Sequence, residues 1–235
     1  MFLKGRMYRY NVCMNYITKI LDIQSVTHDV KQICLEKPLG YEFIPGQATS
    51  VSINRENLIS ETRPFTFTSL NSVPNLEFII KEYPEHHGIT EKIHQLQVGD
   101  ELVIEDPWGT ISYADQGVFI AGGAGITPFI AILRQLNKDG KIASNRLFFS
   151  NKTTQDIIIE NELREILPPE NLVLSLTREE QPGYHTGRMD QAFIKEHLAD
   201  FDQNFYVCGP KGMNADIKQI LIDLGASPQS LIFEK

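Results

Sequence analysis

Gly122, Gly123, Gly125, Thr127 and Pro128 stand close together in the second half of the chain. An apolar run over 118–121 leads into them and another, over 129–133, follows, so the stretch reads as strand, tight turn and helix. Pro128 suits the first turn of that helix, where its missing N–H leaves no bond unmade. Glycines at such a junction let bare backbone approach a ligand, and the unpaired N–H groups of a helix start attract an anion. Together they would cradle a pyrophosphate. From Gly123 the pattern is Gly-x-Gly-x-x-Pro, with Pro128 where the usual dinucleotide fingerprint carries its third glycine. Cys208-Gly209-Pro210 supplies a second glycine-bearing turn behind another apolar run.

What must position these turns is a sheet. After about residue 113, strand-like runs at 118–121, 146–150, 172–176, 204–208 and 231–234 alternate with helix-like runs at 128–136, 155–166, 189–198 and 213–224. That alternation predicts a doubly wound α/β domain around a five-stranded parallel sheet. In the strand order 3-2-1-4-5, the carboxyl ends of the first and fourth strands flank the crevice where ligands bind. Those ends are residues 122–125 and 208–210, so two turns distant in sequence converge on one place.

Upstream the pattern changes. Short β-rich runs at 17–26, 30–36, 48–53, 63–70, 76–82 and 101–104 are separated by turn signals such as Pro45-Gly46, Gly99-Asp100 and Pro107-Trp108-Gly109. One helix-like stretch, 90–96, interrupts them. Six short strands at this spacing predict a small antiparallel β-barrel or sandwich. Two domains are therefore expected, 15–113 and 114–235, behind a lead-in of residues 1–14 without periodicity or motif that reads as loosely ordered.

A net charge of -8 and a pI near 5.3 argue against a nucleic-acid partner and against a polybasic membrane patch. Cys13, Cys34 and Cys208 form no close cluster, so no disulfide framework, zinc site or iron–sulfur site is expected. Thiols left reduced fit a cytoplasmic protein. No apolar run approaches a membrane span, and no secretion signal is read at the N-terminus. His86 and His87 lack a third ligand at a credible spacing and read as a solvated loop pair rather than a metal site.

Arg63-Pro64-Phe65-Thr66, Gly88-Ile89-Thr90, the glycine turn and Cys208-Gly209-Pro210 follow one another in an order that resembles the ferredoxin–NADP(+) reductase superfamily, which includes flavodoxin reductases and cytochrome b5 reductases. The resemblance runs from about Tyr16 to the C-terminus. It implies FAD in a β-barrel, NADPH or NADH on the parallel sheet, and a hydride passing from the nicotinamide to flavin N5. In the family's Arg-x-Tyr-(Ser/Thr) motif, Arg63 would meet the flavin phosphate. Phe65 takes the tyrosine's place, able to lie on the flavin without the hydroxyl, and the hydroxyl of Thr66 would reach N5. Gly88, Ile89 and Thr90 would meet the FAD pyrophosphate. Lys81 and Tyr83 resemble the Lys-x-Tyr by which cytochrome b5 reductases reach the flavin.

In the second domain the resemblance implies that Gly122, Gly123, Gly125, Thr127 and Pro128 hold the NAD(P) pyrophosphate. Cys208, with Gly209 and Pro210, matches the family cysteine near nicotinamide C4 and flavin N5. Glu234 resembles a carboxylate near the C-terminus that orders polar groups around the flavin. With Lys235 the last residue, no aromatic side chain is expected over the flavin face. Thr177-Arg178-Glu179-Glu180 is similar to the Ser-Arg-Glu-Gln of plant-type NADP enzymes, in which hydroxyl and guanidinium meet the 2′-phosphate, and Lys152 ends the neighbouring strand. Ser150-Asn151-Lys152-Thr153 is also similar to an Asn-x-Thr segment of NADH-using cytochrome b5 reductases. The balance tips slightly to NADPH.

No cysteines for an iron–sulfur domain are present, so the implied acceptor is a separate electron carrier such as ferredoxin, flavodoxin, a cytochrome or an oxygenase component. Two other readings stand beside this one. One is an NAD(P)H:flavin reductase that releases its flavin; the other is a noncatalytic flavin-binding subunit or redox sensor.

Overall fold

The computed structural model describes residues 14–109 and 111–233. The lead-in up to Cys13 and the predicted site residue Glu234 lie outside the described residues.

The first half is built from β1 (Tyr16–Thr27), β2 (Val30–Glu36), β3 (Ala48–Ile53), β4 (Arg63–Thr66), β5 (Asn75–Lys81) and β6 (Glu101–Ile104). All pair antiparallel, in the order β4-β3-β6-β1-β2-β5. Strand side chains alternate between faces, so Ile33 and Leu35, Val51 and Ile53, and Leu76, Phe78 and Ile80 point into one core. The strand expected over 63–70 stops at Thr66, and the chain then turns back to β5, where the Thr68 N–H donates to the Glu77 carbonyl at 2.9 Å. That return closes the sheet into a barrel. Phe67, fully buried and stacked on Phe43 at 4.2 Å, fills its centre. Truncating such a ring costs about 3–5 kcal/mol. The short helix α1 (Ile89–His94) adds Ile89 and Ile93 to the same core.

The second half alternates β7 (Gly117–Gly122), α2 (Thr127–Lys138), β8 (Arg146–Asn151), α3 (Glu160–Ile166), β9 (Leu172–Leu176), β10 (His185–Thr186), α4 (Gln191–His197), β11 (Asn204–Cys208), α5 (Lys211–Asp223) and β12 (Leu231–Phe233). The sheet order is β10-β9-β8-β7-β11-β12, every pair parallel. This is the expected 3-2-1-4-5 order with one correction, a sixth strand at the edge. β10 has only two residues and no apolar periodicity, and it is held by tertiary bonds. The Gly187 N–H donates to the Leu176 carbonyl at 2.8 Å, and the Ser175 hydroxyl donates to the Gly187 carbonyl at 2.6 Å.

Both faces of the sheet are covered, as a parallel sheet requires. Phe119, Ala121 and Phe149 pack against Phe129 and Leu133 of α2 and Leu163 of α3. Val118, Ile120 and Phe148 pack on the other side against Phe193 and Ile194 of α4 and Ile217 and Leu221 of α5. The two halves share core: Val30, Ile79 and Ile111 belong to the cluster that contains Phe129, Ile130 and Leu133. The connecting segment is pinned by the buried Tyr206, whose hydroxyl accepts from the N–H groups of Ala114 and Asp115 and donates to the Asp115 carbonyl. Among the described residues no helix is long and apolar enough to cross a membrane.

Candidate dinucleotide and flavin site

β7 and β11 pair through Ala121 and Cys208, so the turn that follows each strand emerges at the same end of the sheet. After β7 the chain makes one tight turn over Gly123–Ile126 before α2 begins at Thr127, with Pro128 in its first turn. Gly123 has φ +52, and nothing lies within 4 Å of where a Cβ would be. Glycine is required there by the left-handed backbone, not by crowding. The hydroxyl of Thr127 donates to the Ala124 carbonyl at 3.0 Å and steadies the turn.

Above these turns opens a cavity of about 1020 Å³ in the seam between the halves. Gly122, Gly123, Gly125 and Thr127 line it, as do Cys208, Gly209 and Pro210 from the end of β11 and Lys152 from the end of β8. Lys81 and Tyr83 line it from the barrel. Burial pushes the Tyr83 phenol above its ordinary range. His86 is exposed, as expected of a solvated loop residue, and its ring stacks on Tyr83 with centroids 5.8 Å apart at the cavity wall.

Other predicted residues lie off the wall. Pro128 is buried beneath the turn, and Arg178 is exposed on the loop after β9, its N–H donating to the Lys152 carbonyl at 2.8 Å. Arg63 and Pro64 are exposed on β4, and Phe65 is half-buried with its ring centroid 6.4 Å from that of Phe78. Thr66 is buried, and its hydroxyl has no hydrogen-bond partner among the described residues. Gly88, in extended conformation, caps α1, and Thr90 lies in its first turn. The side chain of Ile89 is core, so only its backbone could face a ligand.

The wall also holds residues that no motif singles out: Asp156, Arg188, Lys211 and Asp216. Of the cations on the wall, Lys81 pairs with Asp29 at 2.6 Å, but Lys152, Arg188 and Lys211 make no ion pair among the described residues and still outnumber the carboxylates Asp156 and Asp216, although the whole chain carries -8. Asp156 is further engaged, accepting from the Thr153 N–H and hydroxyl at 2.8 and 2.7 Å. A basic recess on an acidic protein suits a polyanion. Asn151 gives a second sign of a ligand. It lies on the wall, 5% exposed, and neither its amide nitrogen nor its amide oxygen has a partner. Leaving such groups unbonded costs about 1–3 kcal/mol. Bare backbone, basic wall and unbonded amide together fit a dinucleotide.

The family model of the oxidoreductase FAD-binding domain matches residues 18–113, and that of the oxidoreductase NAD-binding domain matches residues 119–219. The chain belongs to the ferredoxin–NADP(+) reductase superfamily. As a member, it has FAD and a nicotinamide dinucleotide as its cofactors. This ferredoxin reductase-like chain is similar to the reductase component of propane 2-monooxygenase from Rhodococcus jostii (strain RHA1), with 27% identity over 92% of this chain and 62% of that protein. It is similar to the ferredoxin–NAD(P)(+) reductase component of the naphthalene 1,2-dioxygenase/salicylate 5-hydroxylase systems of a Ralstonia species, at 28% identity over 88% of this chain and 64% of that one. The solved ferredoxin NADP+ reductase of Neisseria gonorrhoeae, with bound FAD and NADP, superposes with a TM-score of 0.78 at 20% identity, covering 93% of this chain and 97% of that chain. The superfamily chain spans about 62–66% of the length of three propane 2-monooxygenase reductase components that it matches.

Proposed function

We propose that the chain is an FAD-dependent NAD(P)H oxidoreductase that delivers electrons to a separate carrier protein. The observation that carries this reading is the seam cavity, where the barrel's Lys81 and Tyr83 face the glycine turn and Cys208 across one space. When bound, the cofactors supply the redox chemistry, a hydride passing from nicotinamide C4 to flavin N5 and electrons then leaving one at a time.

The chain's own part is to bind and orient. Among the described residues the Arg63 guanidinium donates only to the neighbouring Thr62 carbonyl, at 2.8 Å, which leaves most of its planar fork for a flavin phosphate. Phe65 offers a ring to the flavin, and Thr66 a hydroxyl that bonds none of the described residues. Gly88, Ile89 and Thr90 would present backbone and hydroxyl to the FAD pyrophosphate. Gly122, Gly123, Gly125, Thr127 and Pro128 would hold the dinucleotide pyrophosphate on the other side of the seam. Cys208, with Glu234, would border the reacting atoms. We set the domain division at residues 113 and 114, in the segment that Tyr206 pins.

NADPH is the favoured donor. Lys152 and Arg178 stand on hydrogen-bonded neighbouring loops, and neither makes an ion pair among the described residues. Glu179, which could have neutralised Arg178, instead accepts from the N–H and hydroxyl of Thr154. Two unpaired cations beside the hydroxyl of Thr177 suit a 2′-phosphate. Similarity to reductase components of oxygenase systems supports a separate protein acceptor, for which ferredoxin, flavodoxin, a cytochrome and an oxygenase component are the candidates. The proposed cytoplasmic location rests on the unclustered cysteines alone. Anaerobic stopped-flow mixing of the FAD-loaded protein with NADPH and, separately, NADH tests the reading. Rapid bleaching of the oxidised-flavin band, faster with NADPH, is expected; no bleaching by either nucleotide would defeat it.

A further inference from the structure

Arg134 lies two helical turns beyond Thr127 on α2, on the face turned to the barrel. Its Nη1 donates to the Thr68 carbonyl at 2.7 Å and to Glu77 Oε1 at 2.6 Å. Its Nε and Nη2 donate to the two carboxylate oxygens of Glu162 at 2.5 and 2.8 Å. Thr68 and Glu77 belong to the barrel, whereas Glu162 belongs to α3 of the α/β half. Glu77 is itself a hub: the Thr68 hydroxyl donates to Oε1 at 2.7 Å, and the Gln32 amide donates to Oε2. Burial disfavours the charged guanidinium, but Glu162 and Glu77 outweigh it and raise the Arg134 pKa above its ordinary value.

The neighbouring contact between the halves, Val30, Ile79 and Ile111 against Phe129, Ile130 and Leu133, is apolar. Apolar burial has no direction, so it resists separation better than sliding. A guanidinium fork bonded on both sides fixes register as well as distance. Its two anchors sit on elements that reach the cofactors. Thr68 is two residues past Thr66 at the flavin strand, and α2 starts in the glycine turn.

We propose that Arg134 is a positioning residue which, through Glu77 and the Thr68 carbonyl, sets the placement of the dinucleotide turn relative to the flavin-bearing strand. This rests on the reading of the seam cavity as the meeting place of the two cofactors. Arg134 does not line that cavity and would touch neither cofactor. Its effect would therefore fall on the approach of the rings and not on the binding of either cofactor.

The test compares the FAD-loaded full chain with Arg134→Met and Arg134→Lys. Four quantities are read: FAD content, affinity for oxidised NADP(+), the long-wavelength charge-transfer absorbance that reports ring-to-ring contact, and the anaerobic flavin reduction rate. Arg134→Met is expected to keep its FAD and its NADP(+) affinity while the charge-transfer band weakens and reduction slows roughly 10- to 100-fold, as a displacement of about 1 Å would cause. Arg134→Lys, with the charge but not the fork, should fall between. An unchanged band and rate in Arg134→Met would overturn the proposal. Should that variant lose FAD or fail to fold, Glu77→Gln decides by the same readouts. A parent protein that neither nucleotide reduces would defeat the underlying reading and the proposal together, whereas a parent reduced no faster than Arg134→Met defeats the proposal alone.

Discussion

A Cβ built on Gly125 would stand 2.3 Å from the carbonyl oxygen of Cys208 and 2.5 Å from its carbonyl carbon. The glycine turn and the end of β11 are therefore in direct backbone contact, and two motifs far apart in sequence form one floor. Because the obstructing atoms are backbone, no flexible side chain can yield. Gly125→Ala is expected to cost about 1–3 kcal/mol of stability as an overpacked contact and to weaken dinucleotide binding by tilting the turn. Thermal melting and an NADP(+) titration measure both. If neither changed, the two turns would not share a rigid floor.

Asn151 makes a prediction of opposite sign in two states. Its amide is buried without partners, so Asn151→Leu, of similar size, removes two unmade bonds. Without nucleotide the variant should match the parent or gain about 1 kcal/mol. With saturating nucleotide it should lose much of the stabilisation that the parent gains, because the ligand no longer meets the amide. Melting temperatures with and without NADP(+) separate the cases. A variant less stable than the parent when nucleotide is absent would argue that the amide is already satisfied.

The sequence made the architecture readable wherever local chemistry repeats. Short apolar-rich runs mark β2, β3 and β6, and the glycine-to-proline turn marks the passage from β7 to α2. What could not be read depends on contacts across the chain. Arg134 looks like a surface charge on an amphipathic helix until Glu77 and Glu162, 57 and 28 residues away, are brought to it. The isolation of the Asn151 amide is a property of its surroundings, and the two residues of β10 are too few to carry a period. The helix expected from residue 155 begins only at Glu160, because Ile159 adopts φ +50 after a separate turn capped by Thr153 and Asp156.

The choice between the two nicotinamide nucleotides should rest on Arg178 and Lys152. Each is exposed, so each contributes less than a buried pair would. Arg178→Ala is expected to lower kcat/KM for NADPH roughly tenfold relative to NADH, the equivalent of about 1.4 kcal/mol. Lys152→Ala should act in the same direction. Steady-state reduction of a dye acceptor with each nucleotide measures the ratio. A fall shared equally by NADH and NADPH would place these side chains away from the 2′ position.

Lys81 of the cavity wall is held by Asp29, which accepts from its ammonium at 2.6 Å. Burial alone would raise its carboxyl, but the bonds from Lys81 and from Thr27 outweigh that and hold it below the ordinary aspartate range. A carboxyl whose pKa is lower in the folded chain adds stability that is fully present above its unfolded pKa of about 3.9, and the contribution is lost as the pH falls through the folded value. Asp29→Asn should therefore be less stable than the parent at neutral pH, and the two should converge in acid once the parent's Asp29 is protonated. Urea unfolding over a pH series gives both curves. A difference that stayed constant down to pH values where every carboxylate is protonated would mean that the Lys81–Asp29 pair adds no pH-linked stability, and the loss would then lie in packing around the turn between β1 and β2.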